Sequence, residues 1–270
     1  MTADSTTTER TTSATPSARD LVAVVLAAGK GTRMQSDLPK VMHPVAGRPM
    51  VHWVVDAARA AGATRIVLVV GHGADLVKAE FAGATDVDFA LQSEQLGTGH
   101  AVMMARPAIE PLAASADAFI LCGDGPLIRA ETLATLLDLH RREQAAATLA
   151  TSVIPDPKGY GRIVRGADGR LARIVEQKDA TPDELAIREV NPSYYCFRTD
   201  ALLSALARVG NANASREYYL TDVFAILRGD GLTVAAVDAV PPEDILSIND
   251  PAQLAEVDAI LRARLAGGTR

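Results

Sequence analysis

Residues 21–28 read Leu-Val-Ala-Val-Val-Leu-Ala-Ala and stop at Gly29. The run is apolar, does not alternate and is rich in Val and Leu, which predicts a strand buried on both faces, as in a parallel sheet covered by helices. Val51, Val54, Val55 and Ala58 then recur at helical spacing until Gly62, and residues 65–70 (Arg-Ile-Val-Leu-Val-Val) form a second buried run. The alternation continues with a helix over 74–81, a strand over 87–91, a helix over 99–105 and a strand over 118–121. Leu133, Leu136, Leu137 and His140 mark a further helix. Strands alternating with helices predict right-handed crossovers and an α/β fold whose mostly parallel sheet carries helices on both faces.

The rhythm then changes. Residues 147–154 read as a strand, and 162–165 and 171–176 as a hairpin around Gly166-Ala167-Asp168-Gly169. A strand over 190–197, a helix over 218–227, a strand over 232–237 and a closing amphipathic helix over 251–265 complete the expected elements. The antiparallel excursion, about 152–215, is expected to form a small lid or acceptor pocket. Residues 1–18 are mostly Ser, Thr and Ala and bury too little apolar surface to offset their ordering entropy. They are expected to be a disordered tail ahead of a domain over 19–270; Asp4, Glu9 and the scarcity of Arg count against a transit peptide.

A net charge of −6 and a sequence pI near 5.4 argue against nucleic acid as a main partner. No apolar segment approaches the roughly 20 residues of a membrane helix, and the amino terminus lacks the apolar core of a secretory signal. A cytoplasmic protein without a membrane partner is the expectation. Cys122 and Cys196 are far apart, each inside an apolar stretch, and are expected to be buried free thiols.

The candidate chemistry begins where the first strand ends, at Gly29-Lys30-Gly31-Thr32-Arg33-Met34 and Leu38-Pro39-Lys40. Gly29 and Gly31 permit a sharp turn that aims main-chain N–H groups at phosphate oxygens, with Lys30, Arg33 and Lys40 adding positive charge. The spacing is not that of a P-loop. Nor is it the dinucleotide fingerprint, since Met34 stands at the third glycine's place and His52 and Trp53 near that of the acidic residue. Asp124, beside Gly123 and Gly125 at the end of a buried strand, is placed either to hold Mg²⁺ or to make a turn. In the stretch 92–101, Gln92 can donate and accept in one plane, which suits the edge of a pyrimidine. Gly97 permits close approach and Thr98 can cap a helix. His100 has no carboxylate adjacent in sequence and reads as an ordinary helix histidine.

Together these stretches resemble the sugar nucleotidylyltransferase family, in particular the uridylyltransferase domain of the bacterial bifunctional enzymes that make UDP-N-acetylglucosamine. The resemblance rests on Leu-Ala-Ala-Gly-x-Gly-Thr-Arg-Met (26–34), Leu-Pro-Lys (38–40), Gln-x-Glu-Gln-Leu-Gly-Thr-Gly-His-Ala (92–101) and Gly-Tyr-Gly-Arg-Ile (159–163). Val-Glu-x-Lys-Asp-Ala (175–180) and Glu-Tyr-Tyr-Leu-Thr-Asp (217–222) follow in the same order. It implies a Rossmann-like nucleotide-diphospho-sugar transferase fold and Mg²⁺-dependent transfer from UTP to N-acetylglucosamine 1-phosphate. It further implies that Leu26, Ala27, Ala28, Gly29, Gly31, Gln92, Gly97 and Thr98 hold the nucleotide. Arg33 and Lys40 would be catalytic, Gly161, Glu176 and Asn191 would bind the sugar, and Asp124 and Asn249 would bind the metal.

The chain departs from the family's pattern at Gly125, where Val is usual, and at Asn191-Pro192-Ser193, where Asn-Thr-Gly is usual. Another sugar phosphate or base is therefore an alternative, and a non-catalytic nucleotide-sugar-binding paralogue is a second. The family's β-helix would begin near residue 270, so no acetyl transfer and a monomer or weak oligomer are expected.

Overall fold

The structure is a computed structural model and describes residues 19–268; the expected tail over 1–18 lies outside the described residues. Strand β1 (Asp20–Ala27) lies between β4 (Arg65–Val70) and β6 (Ala116–Cys122), parallel to both, and β5 (Val87–Leu91) extends the sheet beyond β4. Val22 and Val24 pack into one core cluster and Ala23 and Val25 into the other, which is why the run shows no alternation. Each Val or Leu side chain so buried contributes roughly 1.5–3 kcal/mol. Helices α1 (Met50–Ala60), α2 (Ala74–Glu80), α4 (Ala130–Arg142) and α8 (Pro251–Ala266) cover one face. The other face is covered by α3 (Thr98–Ile109), α6 (Thr199–Leu206) and α7 (Asp222–Gly229).

The second half turns the sheet mixed. Strand β10 (Glu189–Arg198) inserts antiparallel between β6 and β7 (Ala147–Val153), and β11 (Val234–Asp238) runs parallel to β7 at the edge. The order is β11-β7-β10-β6-β1-β4-β5, and the hairpin β8 (Gly161–Arg165) and β9 (Leu171–Val175) joins through β10. Three elements were not foreseen, the hairpin β2 (Pro44–Val45) and β3 (Arg48–Pro49), the single turn α5 (Pro182–Leu185) and the helix α6 (Thr199–Leu206).

Three expectations need correction. The helix expected over 218–227 begins at Asp222, because the backbone of Tyr218 is bonded elsewhere: its N–H donates to Leu96 O at 2.8 Å and its carbonyl accepts from Gly99 N at 2.7 Å. Helix α8 buries only Val257 and Leu261, a stripe narrower than an amphipathic helix presents. Both cysteines are free, but only Cys196 is buried; Cys122 is half-buried at the end of β6.

Candidate active site

The carboxyl ends of β1, β4, β5 and β6 point the same way, and the candidate residues follow directly from them. Gly31 sits in the left-handed region at φ +64°, and a Cβ there would lie 2.7 Å from Lys40 Cβ, so glycine lets Lys40 close against the loop. Lys40 Nζ lies 2.5 Å from Asp124 Oδ2, just after β6, and 3.1 Å from Asn249 Oδ1, just before α8. Two further bonds hold that geometry: Ile248 N donates to Asp124 O at 2.9 Å and Asn249 N to Gln253 Oε1 at 2.8 Å. Three residues distant in sequence thus converge on one point.

A cavity of about 400 Å³ opens beside them. Its wall includes Leu26, Arg33, Thr98, Asp124 and Asn249 together with Gly161, Glu176 and Asn191. The exposed Arg33 guanidinium makes no side-chain hydrogen bond or ion pair with the described residues, which leaves its charge available to an anion at the mouth. Ala27, Ala28, Gly29, Gly31, Gln92 and Gly97 are not among the residues that line it. Ala27 and Ala28 turn their side chains into the core, so only their backbone can reach a ligand, while Gly29 faces open space. Lys30 is exposed.

The part of the wall around Glu176 and Asn191 is built from side chains. Glu176 follows β9 and accepts from Thr221 Oγ1 at 3.0 Å. Burial holds its carboxyl above the ordinary Glu range; the Thr221 bond opposes that shift, and the nearby charges of Asp179, Asp222 and Glu217 add to it. The register of β10 against β7 shifts between Val190 and Tyr194. This bulge carries Asn191 to the cavity wall. The Asn191 amide donates to Tyr195 Oη at 2.7 Å and accepts from Ser193 N at 3.0 Å. Ser193 adopts φ +69°, the conformation that a glycine at this position would take without strain. At Gly125 a Cβ would meet Tyr194 Oη only at 3.8 Å, so a side chain would fit and the glycine widens the cavity. Burial and the Asp124 carboxylate push the Cys122 thiol up to about 12, so it is protonated and inert as a nucleophile at neutral pH.

On the other side Gly97, at φ +110°, places its α-carbon where a Cβ would lie 2.6 Å from Tyr218 O. The Leu96 and Gly99 bonds to Tyr218, with Leu220 N donating to Thr98 Oγ1 at 3.2 Å, strap the segment 96–99 to 218–220. That strap explains the Glu-Tyr-Tyr-Leu-Thr-Asp stretch. Tyr160, Thr221 and Gln253 also line the cavity and were not singled out from the sequence. The first two lie inside stretches already quoted, but nothing in their spacing told them from their neighbours.

The MobA-like NTP transferase domain model matches residues 23–219. The chain belongs to this family. Within it, the chain is similar to the bifunctional protein GlmU of Geobacter metallireducens, 53% identical over 246 residues, which cover 91% of this chain and 51% of that protein. The GlmU of Brevibacillus brevis is 51% identical over 246 residues, 91% of this chain and 52% of that protein. The chain spans about half the length of the curated relatives it matches. Apo UDP-glucose pyrophosphorylase matches this MobA-like chain with a TM-score of 0.74 at 17% identity, covering 91% of this chain and 99% of that one. At that identity the likeness speaks for the fold, a mostly parallel mixed sheet of the nucleotide-diphospho-sugar transferase kind. Among the described residues no helix is long and apolar enough to cross a membrane.

Proposed function

We propose that this MobA-like domain is a Mg²⁺-dependent uridylyltransferase that converts UTP and N-acetylglucosamine 1-phosphate into UDP-N-acetylglucosamine and pyrophosphate. The observation that carries the proposal is the meeting of Lys40, Asp124 and Asn249 beside a cavity whose wall also presents Glu176 and Asn191. Relatives about 50% identical, named as bifunctional GlmU proteins, support it.

The donor set fits magnesium. Asp124 Oδ2 and Asn249 Oδ1 already converge on a cation, the Lys40 ammonium. Among the described residues no group of three or more His, Cys, Asp or Glu side chains could hold a metal alone. A site with one or two protein oxygens is what Mg²⁺ uses when substrate phosphates supply other ligands. Asp124 and Asn249 would hold the ion, which when bound supplies Lewis-acid neutralisation of phosphate oxygens.

In the reaction an oxygen of the sugar phosphate attacks the α-phosphorus of UTP, and the bond from that phosphorus to the bridging β-phosphate oxygen breaks, releasing pyrophosphate. The attacking group has a second pKa of about 6 and is an anion at neutral pH, so no side chain has to remove a proton. The chain's task is to align two anions and offset their repulsion. Arg33 and Lys40 carry the positive charge, the loop 26–31 and residues 92–98 hold the nucleotide, and Gly161, Glu176 and Asn191 orient the sugar.

A second reading, a different acceptor sugar, is favoured by Gly125 and Ser193, which alter the wall on the acceptor side. Pyrophosphate release from UTP and Mg²⁺ with N-acetylglucosamine 1-phosphate, beside glucose 1-phosphate and glucosamine 1-phosphate, separates the two. Strong preference for the N-acetylated sugar is the expected result. Activity with another sugar alone would move the acceptor assignment, and nucleotide binding without turnover would turn the chain into a sensor.

A further inference from the structure

His100 does not behave as an ordinary helix histidine. Gln92 Nε2 lies 3.1 Å from His100 Nδ1 and 3.2 Å from the carbonyl oxygen of Gly97. A carbonyl only accepts, so the atom facing Gly97 is the amide nitrogen, and its second proton goes to an unprotonated His100 Nδ1. Both donors of Gln92 are thereby spent inside the protein. Its Oε1 accepts no hydrogen bond from the described residues, yet it is not one of their buried unpartnered side-chain atoms. Gln92 as a whole is only 4% exposed and does not line the cavity described above, but its Oε1 keeps a small accessible surface and an unused acceptor. The imidazole is seated against Tyr218, with ring centroids 6.3 Å apart, and Tyr218 belongs to the strap that holds 96–99.

We infer that His100 is a positioning residue for base selection: together with the Gly97 carbonyl it holds the Gln92 amide nitrogen inward, so that only the acceptor oxygen meets the nucleobase. The inference rests on the uridylyltransferase reading in one respect, that the base lies at Gln92. Uracil presents a ring N3–H, which an acceptor satisfies. Cytosine presents a lone pair at N3, which faces the Gln92 oxygen without a proton between them. A freely flipping amide would serve both bases, because its NH₂ end suits cytosine. Base choice therefore depends on a histidine that need not touch the base.

The test compares UTP with CTP in wild type, His100→Phe and His100→Asn, by kcat/KM with the acceptor sugar phosphate and by calorimetric binding of each nucleotide. Phe keeps the packing on Tyr218 and removes the acceptor, and it should narrow the UTP:CTP ratio about tenfold, the scale of one hydrogen bond. Asn offers a side-chain oxygen to Gln92 Nε2 and should restore most of the ratio. Equal losses with both nucleotides, leaving the ratio unchanged, would overturn the inference. Gln92→Met, which removes the acceptor itself, keeps the test decisive if His100→Phe misfolds; a wild-type ratio in that variant also overturns it. Wild type that binds UTP over CTP without transferring it would refute the proposed reaction, while a narrowed binding ratio in His100→Phe would still support this role. Equal binding of both nucleotides by wild type would refute it.

Discussion

Asp124 and Asp244 are both carboxylates facing basic side chains, and they have opposite uses. Asp244 is 1% exposed and accepts from Arg129 Nε at 2.5 Å and from Arg264 Nη2 at 2.5 Å, while its backbone carbonyl takes the Tyr194 hydroxyl at 2.9 Å. Its oxygens are saturated, and the joint ties α8 and residues 242–245 to the wall of β10. Asp124 has a 20% exposed side chain and one ammonium partner, with an amide oxygen beside it. It also lines the cavity. Completeness of coordination, more than charge or residue type, separates a structural carboxylate from one able to receive another cation.

The sharpest break of this comparison is in turnover. Asp124→Ala is expected to abolish Mg²⁺-dependent pyrophosphate release, a loss of at least about 10²–10³-fold, with little change in melting temperature. Lys40→Ala should lower kcat more than nucleotide affinity. Near-wild-type steady-state rates in either variant would remove that residue from the mechanism.

Asp244→Ala should show the reverse pattern. It removes the shared partner of two guanidinium groups, which keep only Glu243 and the Leu127 carbonyl, and losing hydrogen bonds to charged groups costs about 1.5–3 kcal/mol, which urea unfolding would register as a lower midpoint. An unchanged midpoint would mean that Asp244 is no joint.

A smaller effect comes from Glu176, whose folded-state pKa is raised chiefly by burial. Its ionisation costs the folded state stability, and that cost grows as pH rises from the ordinary Glu value of 4.5 through the raised one. Glu176→Gln should therefore melt higher than wild type at pH 7, with the gap closing as pH falls to about 4; a gap independent of pH would contradict the shift. Smallest is Ser193→Gly, which relieves a left-handed non-glycine residue and should stabilise by no more than about 1 kcal/mol. It also removes the oxygen that Tyr195 Oη donates to at 3.4 Å, so the preference among acceptor sugar phosphates should change slightly. Unaltered stability and preference would show the strain to be absorbed elsewhere.

The half built on β1, β4 and β6 was largely legible because burial on both faces of these strands leaves unbroken apolar runs, and because Gly31 and Gly97 mark points where backbone must pass close to other chain. The half around β8, β9 and β10 was legible as a hairpin and a strand, but the bulge at Asn191 was not, since a register shift changes no residue type. Nor were the contacts of His100 with Gln92 or of Arg129 with Asp244. Those depend on side chains meeting across turns or over long separations, which leave no period in the sequence. Tyr218 misled for a related reason: apolar spacing runs through it, but its backbone is already committed to Leu96 and Gly99.

The placement of β10 also has a consequence in time. Strands β6 and β7 are consecutive in the chain yet not neighbours, since β10 lies between them and bonds to both. During synthesis, at roughly 5–20 residues per second, the flank of β6 stays an open edge for several seconds after its own residues have emerged. A nascent chain ending before Glu189 carries both strands without the one that joins them, and only β11, at the edge of the sheet, is made later.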